Sequence, residues 1–181
     1  MERLKWIKGM AVVLCTAAAA WSGAEFYAMR HYKEPVALGP GVTQVQKLSL
    51  YEPSLQGTAN DCNIYFLDSG KPGGTVLLLG GTHPEEPAAN LAAQILVENA
   101  KPEAGRLIVV TRANTSGSLY SRNGEAYPSF YDIKTPWGKK TWRLGDRSGS
   151  PLDSWPDPEV YVHYPSRQML AYMDIRNLNR C

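Results

Sequence analysis

From Thr75 to Thr111 the sequence spells one strand–helix–strand unit. Thr75-Val-Leu-Leu-Leu79 is a short continuous apolar run, which predicts a strand covered on both faces. Gly80-Gly81 ends it. A helix then runs to about Ala100, with Ala88, Leu91, Ala92, Ile95 and Leu96 as its apolar face and Gln94, Glu98 and Asn99 mostly opposite. Arg106–Thr111 is a second buried strand. Two strands joined through a helix predict a right-handed crossover and a parallel pair. Upstream, Thr43–Tyr51 and Asn63–Leu67 alternate as strands, and Ser69–Gly74 is a turn cluster. The fold class is therefore α/β, a mixed, largely parallel sheet with flanking helices.

The chain opens differently. Arg3, Lys5 and Lys8 stand against the single acid Glu2, and the 16 residues from Gly9 to Ala24 carry no charge. A basic start followed by an apolar core is the order of an export signal. Ser22-Gly-Ala24 has small residues suited to cleavage, yet only Glu25 interrupts the apolar stretch before Met29, which suits an uncleaved anchor as well. Residues 1–29 thus read as a signal peptide or membrane anchor, 30–40 as a linker containing Pro35 and Pro40, and 41–181 as the folded domain. The expected location is outside the cytoplasm, either membrane-anchored or secreted.

The formal charge of +2 and the absence of a long basic run set nucleic acid aside as a partner. Of the three cysteines, Cys15 lies in the apolar start and Cys181 is the last residue, so Cys62 alone falls inside the domain and no disulfide framework or cysteine zinc pattern is implied. Residues 115–165, with Trp137, Trp142 and Trp155, show no clear period. They read as an irregular aromatic insertion near a site.

Chemistry concentrates where the first buried strand meets the helix, in Gly80-Gly-Thr-His-Pro-Glu-Glu-Pro87. Open α/β sheets gather ligands at this edge. Pro84 pushes His83 into an extended conformation, and Glu86 is expected in the first helical turn, so the two side chains can converge in front of the helix. Imidazole nitrogen and carboxylate oxygen are both good zinc ligands. Thr82 and Glu85 fit a capping box, which accounts for Glu85 and leaves Glu86 for the metal. At the other end, Arg176-Asn-Leu-Asn-Arg180 offers guanidinium forks and amides suited to a carboxylate.

In this order, Gly-Gly-Thr-His-Pro-Glu-Glu-Pro, the helix, the strand ending Val-Val-Thr-Arg-Ala-Asn114 and then Asn-Leu-Asn-Arg180 resemble the succinylglutamate desuccinylase/aspartoacylase family of zinc-carboxypeptidase-like hydrolases. The resemblance runs from about Thr75 to Cys181, loosely over residues 115–165. It implies a zinc-carboxypeptidase-like fold, with His83 and Glu86 as the first two zinc ligands. By the same resemblance Asn179 and Arg180, with Arg176 nearby, hold the substrate's carboxylate. The family's third ligand, a histidine, and its general-base glutamate follow the Asn-Arg motif, so here both are expected beyond Cys181. The domain is on that account expected to be incomplete at its C-terminus and the chain inactive by itself. His163 precedes the motif and reads as a surface residue.

The implied activity is zinc-dependent hydrolysis of an amide or ester bond in a small carboxylate-bearing or peptide substrate. Two other readings stand beside it. One is an exported carboxypeptidase acting on cell-wall or other peptides. The other is a non-catalytic glycan- or peptide-binding module on a degenerate hydrolase scaffold.

Overall fold

The structure, a computed structural model, describes residues 2–120, 128–136, 138–153, 161–162, 166–167, 169–170 and 176–180. The chain divides into two units, Met1–Lys33 and Glu34–Cys181.

The first unit is one helix, α1 (Glu2–His31), with no buried residue along its 30 positions. Leu, Met and the Ala17–Ala20 run favour helix, and no proline interrupts it. Its ring-stacked end, His31 on Tyr27 at 3.9 Å, extends it past Met29. At about 1.5 Å per residue the helix is roughly 45 Å long, more than the ~30 Å hydrocarbon core of a bilayer. Its mean hydropathy reaches 1.4, so it is long and apolar enough to cross a membrane, a property shared by signals and anchors.

The second unit is α/β. Its main sheet has strands β1 (Gln44–Lys47), β2 (Asn63–Asp68), β3 (Thr75–Leu79) and β4 (Arg106–Val110), in the order β1-β2-β4-β3. Helix α2 (Pro87–Asn99) connects β3 to β4, which pair in parallel from Thr75↔Arg106 to Leu79↔Val110, as expected of that connection. β1 with β2 and β2 with β4 are antiparallel, so the sheet is mixed rather than largely parallel. The reason lies in the Ser69–Gly74 loop. Instead of closing a hairpin it wraps the start of β4: Ser69 N donates to Gly105 O (3.1 Å), Gly105 N to Lys71 O (3.0 Å) and Arg106 N to Gly74 O (2.9 Å). Gly105 has φ +71°, and a Cβ there would run into Gly74 O, so this wrap depends on glycine.

β1 is shorter than the alternation predicts. Asp61 intervenes, its carboxylate accepting from Ser49 N (2.9 Å) and Ser49 Oγ (3.0 Å), and Leu48–Leu50 coil into a 3-10 turn. β2 behaves as a fully covered strand. Tyr65 and Leu67 join Ala93, Val97 and Val109 in one core, while Ile64 and Phe66 join Cys62 and Val110 in another. β3, predicted to be covered on both faces, is the sheet edge: Val76 and Leu77 are each 59% exposed and Leu79 53%.

Helix α2 also turns otherwise than its pattern predicts. Asn90, Ala93, Gln94 and Val97 are buried, whereas Ala88, Ala92 and Ile95 are exposed. Close packing decides this. A Cβ on Gly80 would stand 2.5 Å from the Ala93 methyl and 2.9 Å from Ala89 O, so the strand end accepts only a small residue against it. Gln94 Nε2 donates to Asn90 Oδ1 at 3.3 Å within the buried face.

The stretch expected as a linker joins the fold from Glu34 onward. Val36 and Val42 pack on the core, and the Glu34 carboxylate accepts Arg112 Nε (3.0 Å), Arg112 Nη2 (2.6 Å) and Arg143 N (2.9 Å). Arg112 Nη2 donates also to Arg143 O at 2.6 Å, binding the end of β4 to residues 143 onward.

Within 115–165 the described part is more regular than expected. It holds the short helix α3 (Thr115–Ser118), the hairpin strands β5 (Phe130–Thr135) and β6 (Gly138–Arg143), and β7 (Tyr161–Val162), which pairs with β8 (Met169–Leu170). Trp142 is buried on β6, and Trp137, Trp155 and His163 lie outside the described residues.

Candidate metal centre

The Gly-Gly turn carries the main-chain pairing past the ends of β3 and β4. Gly80 N donates to Val110 O (2.7 Å), Ala113 N to Gly80 O (2.8 Å) and Asn114 N to Gly81 O (3.2 Å). Gly81 has φ +62° and lies against Arg112, which leaves no room for a side chain that resists the turn.

The chain then makes a β-turn of His83-Pro84-Glu85-Glu86, closed by Glu86 N donating to His83 O at 3.0 Å. Proline at the second turn position pre-sets the backbone torsion such a turn needs. Glu86 is the N-cap of α2 rather than part of its first turn, and Pro87 follows as the first helical residue. The turn, not the helix, brings the pair together: His83 Nδ1 lies 3.1 Å from Glu86 Oε1. Sequence spacing led to the right neighbours by a different geometry.

The capping box predicted for Thr82 and Glu85 does not form, because the N-cap is Glu86 and no side chain caps the helix. Glu85 instead faces the same site. Its Oε1 accepts from Arg147 Nε at 2.7 Å, while its Oε2 is buried with no hydrogen-bond partner. One ligand atom each from His83, Glu85 and Glu86 lie within 4.8 Å of one another.

A third segment reaches the imidazole from almost a hundred residues away. His83 Nε2 donates to Asn177 Oδ1 (3.0 Å) and Asn179 Oδ1 (3.1 Å). Asn177 is buried and held in a bridge with Ser148. Gly149 N donates to Arg176 O (2.8 Å) and Arg176 Nε to Gly149 O (2.8 Å), so this guanidinium helps to fasten the segment. Arg180 is exposed, and its backbone N–H donates to Asn177 O at 2.9 Å. Of the residues expected to bind a substrate carboxylate, Asn179 is brought to His83, and its amide oxygen is turned to the imidazole.

The loop 145–149 links these parts. Arg143, fixed by Glu34 and Arg112, precedes it; Gly145 packs on Pro84; Asp146 N donates to Gly117 O (2.9 Å); and Asn114 Nδ2 donates to Arg147 O (3.0 Å). Arg147 thereby reaches both acids, with Nη2 3.6 Å from Glu86 Oε1. Arg147 and Asn177 carry no local signal of this role. Asn177 stood inside the Asn-Arg motif without being singled out, and Arg147 lay in the aromatic stretch.

Burial disfavours charge on His83, but hydrogen bonds to Asn179, Glu86 and Asn177, with the Glu86 charge, outweigh it and raise its pKa above the ordinary imidazole value. Both ring nitrogens face acceptors, which suits the imidazolium in the absence of metal.

The donor set, one imidazole and two carboxylates, could hold a divalent metal ion. With a metal on Nδ1, the Nε2–H would still donate to the two amide oxygens, the outer support that fixes a ligand histidine.

No family model matches the chain, and neither a curated protein nor a solved structure matches it.

Proposed function

We propose that this chain carries a zinc site of hydrolytic type, with His83 and Glu86 as ligands and Glu85 as the third protein group within reach. The observation that carries the reading is the convergence on one imidazole of two motifs singled out independently in the sequence. His83 meets Glu86 across a turn and Asn179 across a separation of 96 residues. A helix cap or a solvated polar segment does not require that meeting.

Zinc bound there supplies a Lewis acid for the carbonyl of an amide or ester and lowers the pKa of a bound water to roughly 7. The chain's own residues do the rest. The Asn177 and Asn179 amides hold the imidazole by its Nε2–H, so its other nitrogen keeps one direction. Arg147 balances the Glu85 and Glu86 charges. The exposed side of the site, at Glu86 and Asn179, is where a carboxylate-bearing substrate enters. The substrate class follows from the family resemblance, and α1 favours the variant in which the substrate is a peptide met outside the cytoplasm.

Titration of zinc into the parent and His83→Ala chains tests the reading. The parent binds zinc measurably and the variant loses that binding. Equal affinity in both removes the assignment.

A further inference from the structure

We propose that Arg147 is the built-in counter-cation of this site, occupying the charge of Glu85 and Glu86 until a divalent cation takes Glu86 from it. The inference rests on the metal reading above and adds a residue that sets how tightly the metal is held.

Two adjacent carboxylates facing one point repel each other unless a cation lies between them. Arg147 supplies one. Its Nε donates to Glu85 Oε1 at 2.7 Å, and its Nη2 stands 3.6 Å from Glu86 Oε1. The two contacts are unequal: the Glu85 contact is a short charge-assisted hydrogen bond, and the Glu86 contact is an ion pair without one. Glu86 Oε1 is also the oxygen that faces His83 Nδ1 at 3.1 Å, so an incoming metal competes with Arg147 for that atom.

The surroundings let the side chain yield while the backbone stays. Arg147 O accepts from Asn114 Nδ2 at 3.0 Å, Ser148 N donates to Asp146 Oδ1 at 2.9 Å, and Ser148 bridges to Asn177. The Arg147 side chain is 48% exposed and its Nη2 stands 3.6 Å from Glu86 Oε1, so solvent reaches the part of the fork that would leave Glu86. A dication on Glu86 then sits near a fixed positive charge, which weakens its binding. Substituting a neutral residue removes both the competition and the repulsion.

The test is the zinc affinity of the parent, Arg147→Gln, Arg147→Met and His83→Ala chains, each folded by circular dichroism. Arg147→Gln and Arg147→Met should bind zinc roughly tenfold tighter or better than the parent, with the gain shrinking as salt is added. Unchanged or weaker binding, with His83→Ala still losing the metal, overturns the role of Arg147; weaker binding would mean that Arg147 holds Glu85 for the metal. If His83→Ala binds as the parent does, the metal reading itself fails. A zinc-loaded structure of the unsubstituted chain gives a second readout that needs no variant. Arg147 Nη2 should have left Glu86, and a guanidinium still on that carboxylate beside bound zinc overturns the proposal.

Discussion

His83 is where the residue-scale argument can be checked most directly. Its pKa is raised because Glu86, Asn177 and Asn179 all accept from the charged ring, against the opposing effect of burial. A group whose folded pKa exceeds its unfolded value of about 6.5 adds stability that is fully present below that value. The contribution fades as pH rises through the folded pKa. The metal-free parent should therefore exceed His83→Gln in thermal stability most at acid pH, and the gap should narrow on the alkaline side. Zinc affinity should run the other way, climbing with pH until the proton no longer competes. Melting curves of both chains across pH 5 to 9, about the range in which imidazole titrates, decide it. A gap that widens with pH would show that the ring is held neutral. Glu85 belongs to the same scale. Its sequence context matched a helix cap, and its neighbours in space gave it another role, paired with Arg147 and one oxygen left over.

Among the elements, the Ser69–Gly74 loop decides the strand order, since it carries the chain around Gly105 and lets β4 enter between β2 and β3. Both the positive φ and the contact with Gly74 O exclude a side chain at Gly105. Gly105→Ala should destabilise the second unit by about 1–3 kcal/mol or more, the usual scale for forcing a side chain into such a conformation. Gly74→Ala, where a Cβ meets nothing within 4 Å, should cost far less. Urea unfolding of the two variants measures the contrast, and equal midpoints would mean that the loop does not depend on Gly105. Helix α2 shows the same dependence on fit. Its polar Asn90 and Gln94 are buried on the face whose Ala93 packs closely against Gly80.

For the molecule as a whole, the exposed edge matters most. β3 carries no charge and no proline, and Val76, Leu77 and Leu79 stand open to solvent. Uncharged open strands pair with other chains, and apolar patches add to the attraction. The second unit should self-associate in a concentration-dependent way. Leu77→Lys should shift it toward monomer while changing unfolding free energy by no more than about 0.5 kcal/mol, as surface substitutions do. Sedimentation velocity of both chains reads this, and an unaltered distribution would show that the edge takes no part.

The sequence alone determined what depends on near neighbours. The apolar runs of β2, β3 and β4, the α2 segment, the apolar start of α1 and the meeting of His83 with Glu86 all follow from side-chain period and from proline and glycine over a few residues. Even there the turn at Pro84 rather than the helix produced the meeting, because a backbone hydrogen bond closed four residues before α2 began. The β5–β6 hairpin was legible in principle from its alternation, which aromatic and charged residues obscured. Only tertiary structure decided the rest: β4 inserted between β2 and β3, the face that α2 buries, the burial of Glu34 against Arg112 and Arg143, and the arrival of Arg147 at Glu85 and of Asn177 at His83. Apart from the α2 face, these contacts join residues 31 to 109 positions apart, and packing and charge over such distances leave no periodic trace in a single chain.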